Sequence, residues 1–132
     1  MAYRLRSPRV TPLVLIVDDN ADAREMYALY LEHAGFRAVE AGDGEAAIDL
    51  ARRDRPDVIL MDATMPRLDG WEAARRLKAD AATRKIPVIM LTAHAFTEHR
   101  ERAADVGADV FLAKPVLPDV LALEIRRVLA ES

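Results

Sequence analysis

Short, unbroken apolar runs recur along this chain, and each stops at a polar residue. Leu13 to Val17 ends in Asp18-Asp19-Asn20, Val58 to Met61 ends in Asp62, residues 87–91 end at Thr92, and residues 109–112 run on to Lys114-Pro115. Runs of this length, rich in branched side chains, suit strands buried on both faces, which calls for a parallel sheet covered by helices. Helical stretches fill the intervals. Residues 21–34 read as a helix with Met26, Leu29 and Tyr30 on one side and Gly35 as its terminator. Residues 36–40 form a short second strand, and Asp43 can cap a helix running to about Arg53. After the Met65-Pro66 loop, Asp69-Gly70-Trp71-Glu72 has the spacing of a capping box for a helix through Ala79. A weaker helix is expected over 97–106, closed by Gly107. The last helix starts near Pro118, with Leu117, Leu121, Ile125 and Val128 or Leu129 along one stripe.

The pattern is a strand followed by a helix, five times over. The connections are too long for hairpins and suit helical crossovers, so the fold class is a three-layer α/β/α sandwich around a five-stranded parallel sheet. A chain of 132 residues has room for one sizeable core. Residues 13–132 are expected to form that single domain. Residues 1–12, with Arg4, Arg6, Arg9, Pro8 and Pro12 and little periodicity, read as an N-terminal extension. The net charge of -3 does not recommend a polyanion as partner, and no direct nucleic-acid binding is expected. With no cysteine, thiol catalysis and thiolate metal sites are excluded. The apolar runs are too short to span a bilayer and the opening residues lack a signal-peptide segment, so a cytoplasmic protein with no membrane association is expected.

In open parallel sheets, ligands bind beyond the carboxyl ends of the strands. If the first, third, fourth and fifth strands are neighbours, Asp18, Asp19, Asp62, Thr92 and Lys114 share one edge. Taken singly, each is an ordinary cap or loop residue; together they form a complete chemical set. Three close carboxylates repel one another and are costly to desolvate. A hard divalent cation such as Mg2+ offsets that repulsion through oxygen ligands. An aspartate beside such an ion can act as a nucleophile toward phosphorus and form an acyl phosphate. Lys114 can then neutralise one phosphoryl oxygen while the Thr92 hydroxyl donates to another.

The chain resembles the receiver domains of two-component response regulators. The resemblance runs from about Leu13 to Leu129 and rests on Asp18-Asp19, Asp62-Ala63-Thr64-Met65-Pro66 followed by Asp69-Gly70, Thr92-Ala93 and Lys114-Pro115. It implies the flavodoxin-like doubly wound topology with strand order 2-1-3-4-5. It also implies phosphorylation at Asp62, with catalytic roles for Asp62, Lys114 and Thr92. Mg2+, for which Mn2+ can substitute, would be held by Asp19, Asp62 and the Thr64 backbone carbonyl, with Asp18 acting mainly through water. Thr92 and Phe111 would be the switch pair, with a plain core aromatic as the other reading of Phe111. The Lys114-Pro115 bond would be cis. Ala63, Val116 and Ala46 depart from commoner residues at their positions without removing a chemical group. Thr64 and His94 fall where the family tunes acyl phosphate hydrolysis. His33 and His99 look like helix-surface residues.

The implied donor is a phosphohistidine on a sensor histidine kinase or histidine phosphotransfer domain, and the implied output is an unknown downstream protein target. The signalling face would comprise the helix over 97–106, Phe111 and the last helix. Such a protein catalyses its own phosphorylation and dephosphorylation and is not a conventional enzyme. With the sequence closing at Ser132, a stand-alone receiver is expected, with excision from a longer regulator or hybrid kinase as the other reading. Two rivals differ in class. A phosphorylation-independent docking module would lack one of Asp19, Asp62 or Lys114. A small Mg2+-dependent phosphatase would need a lid, for which no segment is long enough. No Gly-rich phosphate loop follows the first strand to support nucleotide binding.

Overall fold

The computed structural model describes residues 11–65, 67–93, 101–102 and 104–131. Five strands form one sheet: β1 Leu13–Val17, β2 Arg37–Ala41, β3 Val58–Asp62, β4 Val88–Thr92 and β5 Val110–Ala113. All neighbours pair in parallel, in the order β2-β1-β3-β4-β5. Four helices are delimited among the described residues: α1 Ala21–His33, α2 Gly44–Asp54, α3 Gly70–Ala79 and α4 Pro118–Glu131. Residues 101–102 and 104–105 are also helical and lead to Gly107, whose φ of 83° suits glycine. The rest of the helix expected over 97–106, together with Pro66, His94, His99 and residues 1–10, lies outside the described residues.

Every residue of β1, β3 and β4 is buried, and alternate side chains feed two cores. Leu15, Val17, Ile59, Met61, Val88 and Met90 pack against Ile48 of α2 and Trp71 and Leu77 of α3. Val14, Ile16, Val58, Leu60, Ile89 and Leu91 pack against Tyr27 and Leu31 of α1 and Leu121, Ile125 and Val128 of α4. Fully burying each such aliphatic side chain is worth about 1.5–3 kcal/mol, so the central strands anchor the sheet from both faces. The edge strands β2 and β5 are only partly buried, and their boundaries, like those of β4, sit one residue later than the sequence suggests.

Two apolar stripes differ from the sequence expectation. On α1, Met26 and Leu29 are exposed, and the buried face is Tyr27, Ala28 and Leu31. Apolar side chains surround this helix, so its periodicity does not single out a face. Ahead of α4, Leu117 is also exposed, while Leu121, Ile125 and Val128 are buried as expected.

The helix starts explain how the site loops are held. Asn20, not Asp19, caps α1 by accepting from the Ala23 N–H (3.1 Å). That leaves the Asp19 carboxylate out of the cap. Asp43 caps α2 and Asp69 caps α3, accepting from Ala46 (2.8 Å) and Glu72 (2.9 Å) respectively. The Glu72 carboxylate pairs with Arg75 and Arg76 on the helix surface, so Asp69 supplies the cap.

Candidate phosphoacceptor and metal site

The strand order brings the carboxyl ends of β1, β3, β4 and β5 side by side, and their polar residues meet there. Asp18 is almost fully buried and fixed at every polar atom. Its N–H donates to the Ala41 carbonyl (3.2 Å) and its Oδ1 accepts from the Asn20 N–H (2.9 Å). Its Oδ2 lies 3.3 Å from Lys114 Nζ, and its carbonyl accepts from Arg24 Nη1 (2.8 Å). Asp19 is exposed beside it. Asp62, at the last position of β3, is buried, and its Oδ1 accepts from the Thr64 N–H (3.3 Å). The same Oδ1 lies 3.3 Å from Lys114 Nζ. One ammonium thus bridges two buried carboxylates.

Lys114 is aimed by its backbone, whose N–H donates to the Thr92 carbonyl (2.6 Å), and the Lys114-Pro115 bond is cis as the resemblance implies. Thr92 closes β4 and is fully buried. Phe111 is half-buried against the core on the α3 side of the sheet. Gly70 lies against the Asp62 carbonyl, and its N–H donates to the Ala63 carbonyl (3.1 Å), which locks the start of α3 onto the Asp62 loop.

Burial pushes the Asp62 carboxyl above its ordinary range, and nearby Asp18 adds to the rise. Lys114 and the Thr64 N–H pull it back without cancelling the shift. For Lys114, burial works against the charged form, but Asp62 and Asp18 outweigh it and hold the ammonium above its usual pKa. One oxygen from each of Asp18, Asp19 and Asp62 lies within 4.8 Å of the others. Three carboxylates against one ammonium leave the cluster negative, and an all-oxygen donor set of this kind fits a hard divalent cation such as Mg2+. A buried carboxylate that resists ionisation alone gains most from such an ion.

Every polar side chain that the sequence singled out at a strand end therefore lies at one edge of the sheet. Arg24 carries no signal in the sequence, because nothing in the pattern marks an arginine whose partner is a main-chain carbonyl. Gly70 enters the sequence pattern only as part of a motif; the close approach to the Asp62 carbonyl that requires glycine comes from the fold.

The comparisons with known proteins agree with this geometry. The family model described as the response regulator receiver domain matches residues 14–126. The chain belongs to the response regulator receiver domain family. It is 42% identical over 119 residues to the phosphate regulon transcriptional regulatory protein PhoB of Pseudomonas aeruginosa, covering 90% of this chain and 52% of that protein. It thus spans about half the length of the curated relatives it matches. Among solved structures, the chemotaxis protein CheY4 of Vibrio cholerae matches with a TM-score of 0.86 and 33% identity, over 90% of this chain and 99% of that one. The receiver domain of a sensor histidine kinase from Pseudomonas aeruginosa PAO1, solved with a magnesium ion coordinated in its active site cleft, matches with a TM-score of 0.84 and 34% identity, over 92% and 99% of the two chains. The protein is a receiver domain of the two-component type. Receiver domains take phosphoryl groups from histidine kinases and bind Mg2+ at their acidic pocket, and the acidic cluster is present here. No described helix is long and apolar enough to cross a membrane.

Proposed function

We propose that Asp62 is the phosphoacceptor of this receiver and that Asp19, Asp62 and the Thr64 carbonyl hold the Mg2+ ion, with Asp18 acting through water. The observation that carries this reading is the ammonium of Lys114, 3.3 Å from both Asp18 and Asp62, beside three carboxylates within 4.8 Å of one another. The donor is a phosphohistidine on a sensor kinase or phosphotransfer domain. An Asp62 carboxylate oxygen attacks phosphorus as the P–N bond breaks, and the electron pair returns to the imidazole nitrogen. Lys114 balances charge on the transferred group, and the Thr92 hydroxyl donates to one of its oxygens. When bound, the divalent ion offsets negative charge on the carboxylates and on the incoming phosphoryl oxygens. Hydrolysis returns Asp62 to its free carboxylate by cleavage of the acyl phosphate.

The donor surface lies around the cluster. Leu117 follows Lys114 by three residues, and Met26 and Leu29 stand on the helix that opens beside Asp19; all three are exposed. Output is carried by residues 97–106, Phe111 and α4. Arg102 supports this route: its guanidinium stacks over the Trp71 ring (5.0 Å) and approaches Asp69 (3.9 Å), at the start of the helix locked onto the Asp62 loop. The receiver unit is residues 13–132, with 1–12 as an extension, and it works in the cytoplasm on a protein target.

Incubation with acetyl phosphate and magnesium tests the reading. Intact mass is expected to rise by one phosphoryl group, with the adduct lost on chelation and in Asp62→Asn. A folded wild-type protein that gains no adduct under these conditions overturns it.

A further inference from the structure

Arg24 belongs to none of the groups assigned above, yet it reaches the loop that carries the acidic pair. It sits in α1, and its guanidinium points back toward the carboxyl end of the sheet. Nη1 donates to the Asp18 carbonyl (2.8 Å), and Nε donates to Glu40 Oε1 on β2 (3.2 Å). Gly42 makes room for it: a Cβ there would sit 3.2 Å from Nη1. Only 20% of the Arg24 side chain is exposed, against the much freer surface arginines such as Arg53 at 72%. The Asp18 N–H is tied to the Ala41 carbonyl at the same time (3.2 Å). Both polar groups of the Asp18 main chain are therefore anchored, one to β2 and one to α1, immediately before the exposed carboxylate of Asp19.

We infer that Arg24 is a positioning residue for the metal site: by clamping the Asp18 carbonyl it fixes the peptide that presents Asp19 to the divalent cation. This rests on the reading that Asp19 and Asp62 hold that cation. The sign of the effect separates positioning from simple charge. A guanidinium beside an acidic cluster repels a cation, so by Coulomb's law alone its removal tightens metal binding. If its role is to hold the loop, removal weakens binding instead. Glu40 offsets part of the guanidinium charge and holds it through the Nε hydrogen bond.

The test is a titration of the full chain with Mn2+, reading free ion by electron paramagnetic resonance. Arg24→Ala is expected to weaken Mn2+ binding about tenfold, the scale of one hydrogen bond from a charged donor. Arg24→Lys, which keeps a donor for the carbonyl, is expected to recover most of that loss, and Glu40→Gln to change affinity much less. Arg24→Met, which keeps the length of the side chain but removes the donor to the Asp18 carbonyl, is expected to weaken binding as much as Arg24→Ala, which keeps the test sound should the alanine variant unfold. The inference is overturned if Arg24→Ala binds Mn2+ as tightly as the wild type or tighter, or if Arg24→Lys is as weak as Arg24→Ala. Wild-type binding that is sensitive to Asp62→Asn but indifferent to Arg24 removes this inference alone. Wild-type protein whose Mn2+ binding ignores Asp62→Asn removes the metal-site reading and this inference with it.

Discussion

Gly70→Ala is expected to cost about 3 kcal/mol of folding free energy, at the upper end of the usual range for overpacking a tight site. An added Cβ would lie 1.9 Å from the Asp62 carbonyl oxygen, 2.8 Å from its carbonyl carbon and 2.9 Å from the Ala63 Cα. All three are main-chain atoms, so no rotamer change relieves the clash. Moving α3 away would break the Gly70 N–H bond to the Ala63 carbonyl and disturb Trp71, which is 4% exposed in the core. Moving the loop instead displaces Asp62. Displacing Asp62 damages phosphorylation as well as stability, so a variant that relaxes through the loop should also accept phosphoryl groups more slowly per folded molecule. Urea denaturation followed by Trp71 fluorescence gives the stability change. A variant within about 0.5 kcal/mol of wild type would show that the start of α3 is not held against the Asp62 loop as described.

Lys114→Met and Asp62→Asn are expected to shift stability in opposite directions when no divalent cation is present. Methionine at 114 leaves Asp18 and Asp62 buried with no ammonium between them. Breaking a buried pair costs about 3–5 kcal/mol. Lys114 is 26% exposed, so water softens the loss and about 2 kcal/mol is expected. Asp62→Asn removes a carboxylate whose ionisation the fold resists. A carboxyl titrating above its unfolded value favours folding while protonated, and that advantage is lost as pH rises through the raised pKa. The asparagine variant should therefore melt above wild type at neutral pH, with the gap closing in acid. Magnesium at about a hundredfold over its dissociation constant would add about 2.7 kcal/mol to wild type, and much less to Asp62→Asn. Thermal melts with magnesium or chelator, at neutral and acid pH, check all of these shifts. An asparagine variant less stable than wild type at neutral pH without metal would contradict the charge balance drawn for the cluster.

The fold was legible wherever burial is complete. β1, β3 and β4 are apolar on both faces, so their sequences read as strands, although β4 starts one residue later than expected, after Pro87, which has no N–H to give a ladder. β2 and β5 lie at the edges, where exposed positions blur the pattern by a residue. Asp109 illustrates the blur. It reads as the first residue of β5, yet its Oδ2 accepts from the Val88 N–H and from Lys78 Nζ, each at 2.8 Å, as a side-chain brace before the strand begins. On α1, local composition favoured Met26 and Leu29, but packing against the sheet chose Tyr27 and Leu31. The site was legible because strand ends in a parallel sheet converge, so Asp18, Asp19, Asp62, Thr92 and Lys114 can be grouped from the sequence alone. Contacts made through the main chain leave no such trace. Arg24 acts on a carbonyl, and Gly70 matters for the atom it lacks.

Reductive trapping tests directly whether Asp62 carries the phosphoryl group. After treatment with acetyl phosphate and magnesium, borohydride converts an aspartyl phosphate to homoserine, which peptide mass spectrometry locates. Homoserine at position 62 alone is the expected result. Homoserine at 18 or 19, or phosphate found instead on the Thr92 hydroxyl, would contradict it.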